Sequence, residues 1–143
     1  MKKLLLGLIV SGVSLAAPKI EVKDAWVREV PPTSSMSAAY MVIENKGDEP
    51  DKLIDASTKI AKAVEIHETV GGKMRRIKVL EIPAGKSVEL KPGGYHIMLI
   101  NLLEKPKEGQ KVDLALKFEK SGEIKVSAPV KKGMGGMHEK MHN

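Results

Sequence analysis

Short segments of alternating apolar and polar residues recur along nearly the whole chain at roughly 8–12-residue spacing, each bounded by turn residues. A period of two sends successive side chains to opposite faces of an extended strand. A chain built this way buries its apolar faces by pairing strands and packing sheets. The spacing predicts strands over Ile20–Arg28, Ala38–Glu44, Lys52–Ala56, Ala63–Thr69 and Lys73–Glu81. Further strands are predicted over Ser87–Leu90, Tyr95–Leu102, Val112–Phe118 and Glu123–Val130. Pro31-Pro32, Asn45-Lys46-Gly47-Asp48, Gly71-Gly72, Pro83-Ala84-Gly85, Pro92-Gly93-Gly94 and Ser121-Gly122 supply the breaks. No segment sustains a 3.6-residue period; Lys59–Val64 could form one helical turn and nothing more. The expectation is an all-β fold of about eight or nine strands, an antiparallel Greek-key sandwich or barrel. Val, Ile and Leu form its core, with Trp26, Tyr40 and Phe118 as the larger pieces.

A chain of 143 residues supports one such domain and hardly two. Its first residues, Met1-Lys2-Lys3, precede an apolar run from Leu4 to Val13 and then Ser14-Leu15-Ala16. That is the pattern of a secretory signal, residues 1–16, cut after Ala16 or Ala17. The run is too short to span a bilayer, which takes about 20 residues, and no cysteine follows it to carry a lipid anchor. We therefore expect an exported, soluble, periplasmic protein with no membrane insertion after signal removal. Its β-domain covers 17–130, and a flexible tail follows over 131–143. Loss of Lys2 and Lys3 lowers the formal charge from +6 to +4. The remaining basic residues are interleaved with acidic ones, and the chain has only one Trp, two Tyr and one Phe. Nucleic-acid binding wants clustered charge and stacking aromatics, so no nucleic-acid partner is expected. Frequent Lys and Glu without cysteine also suit a thermophile.

The residues able to do chemistry are few. His96 and Met98 lie two apart on one predicted strand, so an imidazole and a thioether point to the same face. His67 and Met74 flank the Gly71-Gly72 turn, as on two arms of a hairpin. Outside the tail these are the only two histidines, and each lies near a methionine with no obvious core role. Met41, inside Tyr40-Met41-Val42-Ile43, reads as core; Met36, among serines, reads as structural or merely exposed. Two imidazoles and two thioethers make a soft, uncharged donor set suited to Cu(I) and poorly suited to Mg, Ca or Mn. The absence of cysteine fits export, where thiols oxidise and thioethers survive. The tail adds Met134, Met137, His138, Met141 and His142, a secondary metal-capture tract for Cu(I) or Cu(II).

Trp26-Val27-Arg28, Pro31-Pro32, Ala38-Ala39-Tyr40-Met41 and Ile43-Glu44-Asn45-Lys46-Gly47 resemble the opening of the periplasmic PCu(A)C copper chaperones. The run from Ile82-Pro83-Ala84-Gly85 through Leu90-Lys91-Pro92-Gly93-Gly94-Tyr95-His96-Ile97-Met98-Leu99 is similar to their most characteristic segment. The likeness covers about Ile20 to Val130. The family pattern is His, then Met, then a 21-residue spacer to His-x-Met, and residues 75 to 95 match that spacer here. Only six residues separate His67 from Met74, fewer than the family's usual ten or so, as a shortened hairpin tip would give. The optional methionine after the first histidine is Glu68. The resemblance implies a cupredoxin-like barrel binding Cu(I) near its surface through His67, Met74, His96 and Met98. It also implies delivery to the Cu(A) centre in cytochrome c oxidase subunit II, or to another oxidase copper-assembly protein, by a monomer. Glu65 and Glu68 are candidates to orient His67.

Competing chemistries fit less well. A blue-copper carrier needs a cysteine thiolate. A Cu/Zn dismutase site needs more histidines, and an amine-terminal copper oxygenase needs histidine where Ala17 or Pro18 would stand. Zinc would require Glu65 or Glu68 as an extra ligand. No Ser-His-Asp or paired-carboxylate set points to hydrolysis, and no enzymatic activity is expected. Two alternatives stay open: a periplasmic copper-sequestering resistance protein, and a β-sandwich assembly module with incidental His and Met.

Overall fold

The computed structural model describes residues 16–132, and within them the alternating segments become ten strands. These are β1 (Ile20–Arg28), β2 (Met36–Asn45), β3 (Asp51–Thr58), β4 (Ala61–Val70) and β5 (Lys73–Ile77). They continue as β6 (Leu80–Ile82), β7 (Ser87–Leu90), β8 (His96–Leu102), β9 (Lys111–Phe118) and β10 (Gly122–Lys131). Residues 1–15 of the expected signal and the tail's Met134, Met137, His138, Met141 and His142 lie outside the described residues.

Nine strands hydrogen-bond in the order β5-β4-β8-β2-β1-β10-β9-β3-β6. β2 serves two neighbours on one side: its first half pairs β8 and its second half pairs β7. Every strand pair is antiparallel except β1 with β10, where Val27 faces Val130 and Arg28 faces Lys131. That parallel seam joins the two halves into one curved sheet. Its inner face buries Val27, Ala39, Met41, Ile43, Leu53, Ile82, Ile97, Leu99, Leu114, Leu116 and Phe118. The all-β expectation holds, with Met41 and Phe118 in the core as read.

Three local readings change. Lys73–Glu81 is two strands, β5 on β4 and β6 on β3, because the chain bends at Lys78-Val79 and crosses between the two halves. The helical turn expected over Lys59–Val64 is a tight reversal at Lys59-Ile60 between β3 and β4, with Ala61 onward in the strand. Trp26 packs outside the core, against Tyr40, which is buried as read but on the outer face. The cause is a bulge in β1 between Lys23 and Trp26, where Asp24 takes φ 53°, a left-handed conformation that aspartate tolerates. Ile20 and Val22 face inward before the bulge, and Ala25 and Val27 after it. One inserted residue has reversed the alternation and sent Trp26 outward.

Asn45 and Asp51 fasten the ends of the sheet. Both are buried. Asn45 donates through Nδ2 to the carbonyls of Glu49 (2.7 Å) and Ile82 (3.1 Å). Its Oδ1 accepts from the N–H groups of Lys19 and Gly47, each at 3.0 Å. Gly47 packs so closely under the N-terminal segment that a Cβ would stand 2.1 Å from the Ala17 carbonyl. The Asp51 carboxylate accepts N–H bonds from Lys52 (2.8 Å), Lys120 (2.8 Å) and Ser121 (3.0 Å), and the Ser121 hydroxyl at 2.6 Å. It ties the start of β3 to the β9–β10 turn.

Candidate metal centre

Strand pairing puts the two domain histidines side by side. On β4, Ile66 faces the core and His67 the outer surface; on β8, Ile97 and Leu99 face the core and His96 and Met98 point outward. β4 and β8 pair with His67 directly opposite His96 and Glu65 opposite Met98. Cross-strand partners share a face, and the imidazole centroids lie 5.5 Å apart at 51°. Two residues 29 positions apart in the sequence thus become immediate neighbours.

Hydrogen bonds fix opposite nitrogens of the two rings. His67 Nε2 lies 2.9 Å from Glu65 Oε1, and His96 Nδ1 lies 3.2 Å from the Gly94 carbonyl. A carboxylate and a carbonyl only accept, so these bonds assign the proton to Nε2 of His67 and to Nδ1 of His96. The remaining nitrogens, His67 Nδ1 and His96 Nε2, carry lone pairs. Both are buried and neither has a hydrogen-bond partner. An unpaired buried polar atom is costly and calls for an explanation. Two of them on facing rings, each backed by an acceptor on the other nitrogen, form the arrangement that holds a metal by imidazole.

Electrostatics keep the rings ready. Burial pushes His96 below the ordinary histidine value; the Gly94 bond opposes that shift, and His67 and Arg28 reinforce it. The hydrogen bond from His67 holds the Glu65 carboxyl below the usual range, helped by the charge of Arg76, whose guanidinium lies 3.6 Å away. Glu68 points elsewhere and accepts from Arg75 Nε at 2.6 Å. Of the two glutamates proposed to orient His67, only Glu65 touches it.

The methionines sit on the same face at different distances. Met98 is half-buried, two residues along β8 from His96. Met74 lies opposite Thr69 on the β4–β5 hairpin, diagonal to His67, and is 59% exposed. The six-residue spacer therefore leaves Met74 on the exposed rim of this face, while Met98 is more buried beside the histidine pair. Gly71 and Gly72, both at positive φ, form the two-residue tip that sets this short hairpin. Among the described residues, no three His, Cys, Asp or Glu side chains gather to hold a metal ion. The face supplies two imidazole nitrogens and thioethers, which favours a soft monovalent cation over zinc.

Sequence reasoning missed the wall beside His96. Trp26 and Tyr40 pair across β1 and β2 and stack with centroids 4.6 Å apart. Tyr40 lies 6.4 Å from His96. The Arg28 guanidinium lies 5.6 Å from the Tyr40 ring and 6.0 Å from the Trp26 ring, and donates to the Tyr40 hydroxyl at 3.2 Å. The signal available was the spacing Asp24-Ala25-Trp26, a turn-prone residue inside a strand.

Comparison with known proteins agrees with this fold. The family described as putative lipoprotein LpqE-like matches residues 20–130. A putative lipoprotein of Leifsonia xyli subsp. xyli is 34% identical over 120 residues, 80% of this chain and 71% of that protein. The solution structure of Cu(I)-DR1885 from Deinococcus radiodurans superposes with a TM-score of 0.71 at 34% identity, covering 88% of this chain and 86% of that one. The copper-bound PCuAC domain from PmoF2 gives a TM-score of 0.71 at 26% identity, over 82% of this chain and 95% of the other. On the match over residues 20–130 and these relatives, the chain belongs to the LpqE-like, PCu(A)C copper chaperone family.

Proposed function

We propose that the protein is an exported copper carrier that holds Cu(I) between His67 Nδ1 and His96 Nε2. Met98 adds a thioether beside the pair, and Met74 adds another from the rim. The observation that carries this reading is the pair of buried, unpartnered ring nitrogens on neighbouring imidazoles. The copper-bound relatives support the choice of metal, and the lipoprotein relatives support export, to the periplasm on our reading of the N-terminal signature.

The recipient is the Cu(A) site of cytochrome c oxidase subunit II or another oxidase copper-assembly protein. Thioethers are weak ligands individually, so a partner's thiolates can displace them one at a time while the imidazoles still hold the metal. A carrier built this way moves copper without releasing it free. The protein acts as a monomer and not as an enzyme, and its 131–143 tail is a secondary capture tract feeding the domain site. The reading as a store predicts the same binding without transfer.

Anaerobic Cu(I) titration against a competing chelator, on the whole protein and on His96→Ala, tests the site. We expect one tight equivalent in the parent and its loss in the variant, leaving only weaker binding by the tail. Retention of the tight equivalent in His96→Ala would move the binding site out of the folded domain. Mixing loaded protein with an apo Cu(A) fragment then separates the two roles: transfer supports a chaperone, and retention makes it a store.

A further inference from the structure

Met36 stands on the metal-binding face without any part in the site described above. β2 and β8 pair with Met36 opposite Ile100 and Ala38 opposite Met98, so Met36 shares the outward face of Met98 and His96. It is the diagonal neighbour of Met98, a relation that places Cα atoms about 7–8 Å apart, within reach of long side chains. The residue directly beside Met98 on β2 is the small Ala38, and Ile100 stands directly beside Met36. Met36 is 45% exposed.

The backbone under this exposed side chain is pinned. Ser34 Oγ donates to the Met36 carbonyl at 2.8 Å and accepts from its N–H at 3.3 Å. Lys105 Nζ donates to the Ser34 carbonyl at 2.5 Å, and the Leu102 N–H donates to that of Ser35 at 3.0 Å. Its side chain, almost half exposed on that fixed backbone, is open to an incoming metal. A thioether in that position does have a chemical use, because Cu(I) accepts soft sulfur ligands at low coordination number and exchanges them readily.

We propose that Met36 is a further copper ligand, forming with Met98 an exposed two-sulfur station through which Cu(I) passes between the histidine pair and the solvent side of the fold. The inference rests on copper binding at His67 and His96. At the first station the metal has imidazole nitrogens and the Met98 sulfur. Movement to the second exchanges the two nitrogens for the Met36 sulfur, with Met98 bound throughout and no change of oxidation state. The metal then stands where an incoming thiolate meets it from solvent.

The test uses the whole protein labelled with 13C at the methionine methyls, assigned by single Met→Leu substitutions, and titrated anaerobically with Cu(I). Met36→Leu is then followed by the rate at which a colorimetric chelator strips the first copper equivalent. We expect the Met98 and Met36 methyls to move together. We expect Met36→Leu to leave binding stoichiometry unchanged and slow stripping by about tenfold, equivalent to ~1.4 kcal/mol in the barrier. If Met98 moves and Met36 stays still, or if Met36→Leu strips at the parent rate, the second station is overturned and the histidine site stands. If His96→Ala keeps the tight first equivalent, the copper reading of the domain falls, and this inference with it.

Discussion

His67 and His96 are held by opposite ring nitrogens, and that asymmetry decides how each responds to mutation. Glu65 grips Nε2 of His67 and turns Nδ1 inward. Glu65→Ala leaves the ring free to rotate or change tautomer, and we expect Cu(I) affinity to fall about 10–100-fold with one-to-one stoichiometry kept, read by chelator competition. Glu68→Ala serves as the control, since Glu68 pairs with Arg75 on the other face and its loss leaves affinity near the parent value. The sequence alone allowed His67 and Glu65 to be placed on one polar face, because alternation within a strand is local. It could not reveal that His96 stands opposite His67, because that register depends on how two distant strands pair. Trp26 was misread as core for a related reason: a single left-handed Asp24 reverses the alternation, and aspartate in a strand signals that only weakly.

At the scale of elements, the β4–β5 hairpin is the least supported part of the site. β5 lies at the edge of the sheet, with Lys73, Arg75 and Arg76 exposed, a composition that discourages pairing with other chains. Its position depends on the Gly71-Gly72 tip, with φ of 60° and 80°. Alanine at each tip position is strained by about 1–2 kcal/mol. We expect Gly71→Ala/Gly72→Ala to speed amide hydrogen exchange across β5 while β9 keeps its protection. Copper binding should weaken through the loss of Met74 alone. Strand boundaries of β1 and β7 were legible to the residue because turn signals bracket them. The split between β5 and β6 was not, because Lys73–Glu81 keeps a plausible strand composition through a bend imposed by two different pairing partners.

At the scale of the whole molecule, buried polar residues that close the sheet make its stability depend on pH. Burial pushes the Asp51 carboxyl up, but the Ser121 hydroxyl and the N–H groups of Lys120, Lys52 and Ser121 outweigh it and hold it below the ordinary aspartate value. A depressed folded value means that the unfolded chain takes up the proton first. The stabilisation is complete above the unfolded value of about 3.9 and is lost as pH falls through the folded one. Asp51→Asn should cost about 1–3 kcal/mol at neutral pH, from donors left imperfectly paired. Its thermal midpoint should then fall less than the parent's on acidification from pH ~4 to ~2, as calorimetry across that range would register.

The parallel pairing of the first and last strands also decides how the molecule can be held. Ile20 lies beside Asn45, at the far end of β1 from Arg28, and nine residues of strand put ~26 Å between them. Arg28, Lys131 and the aromatic wall of His96 share the opposite end. A tether at the front of the chain, whether a bead or a fusion partner, grips the molecule by its blunt end and presents the proposed copper rim outward. The same load fixed behind Lys131 emerges beside the rim itself. Surface-immobilised protein should load copper freely in the first orientation and poorly in the second.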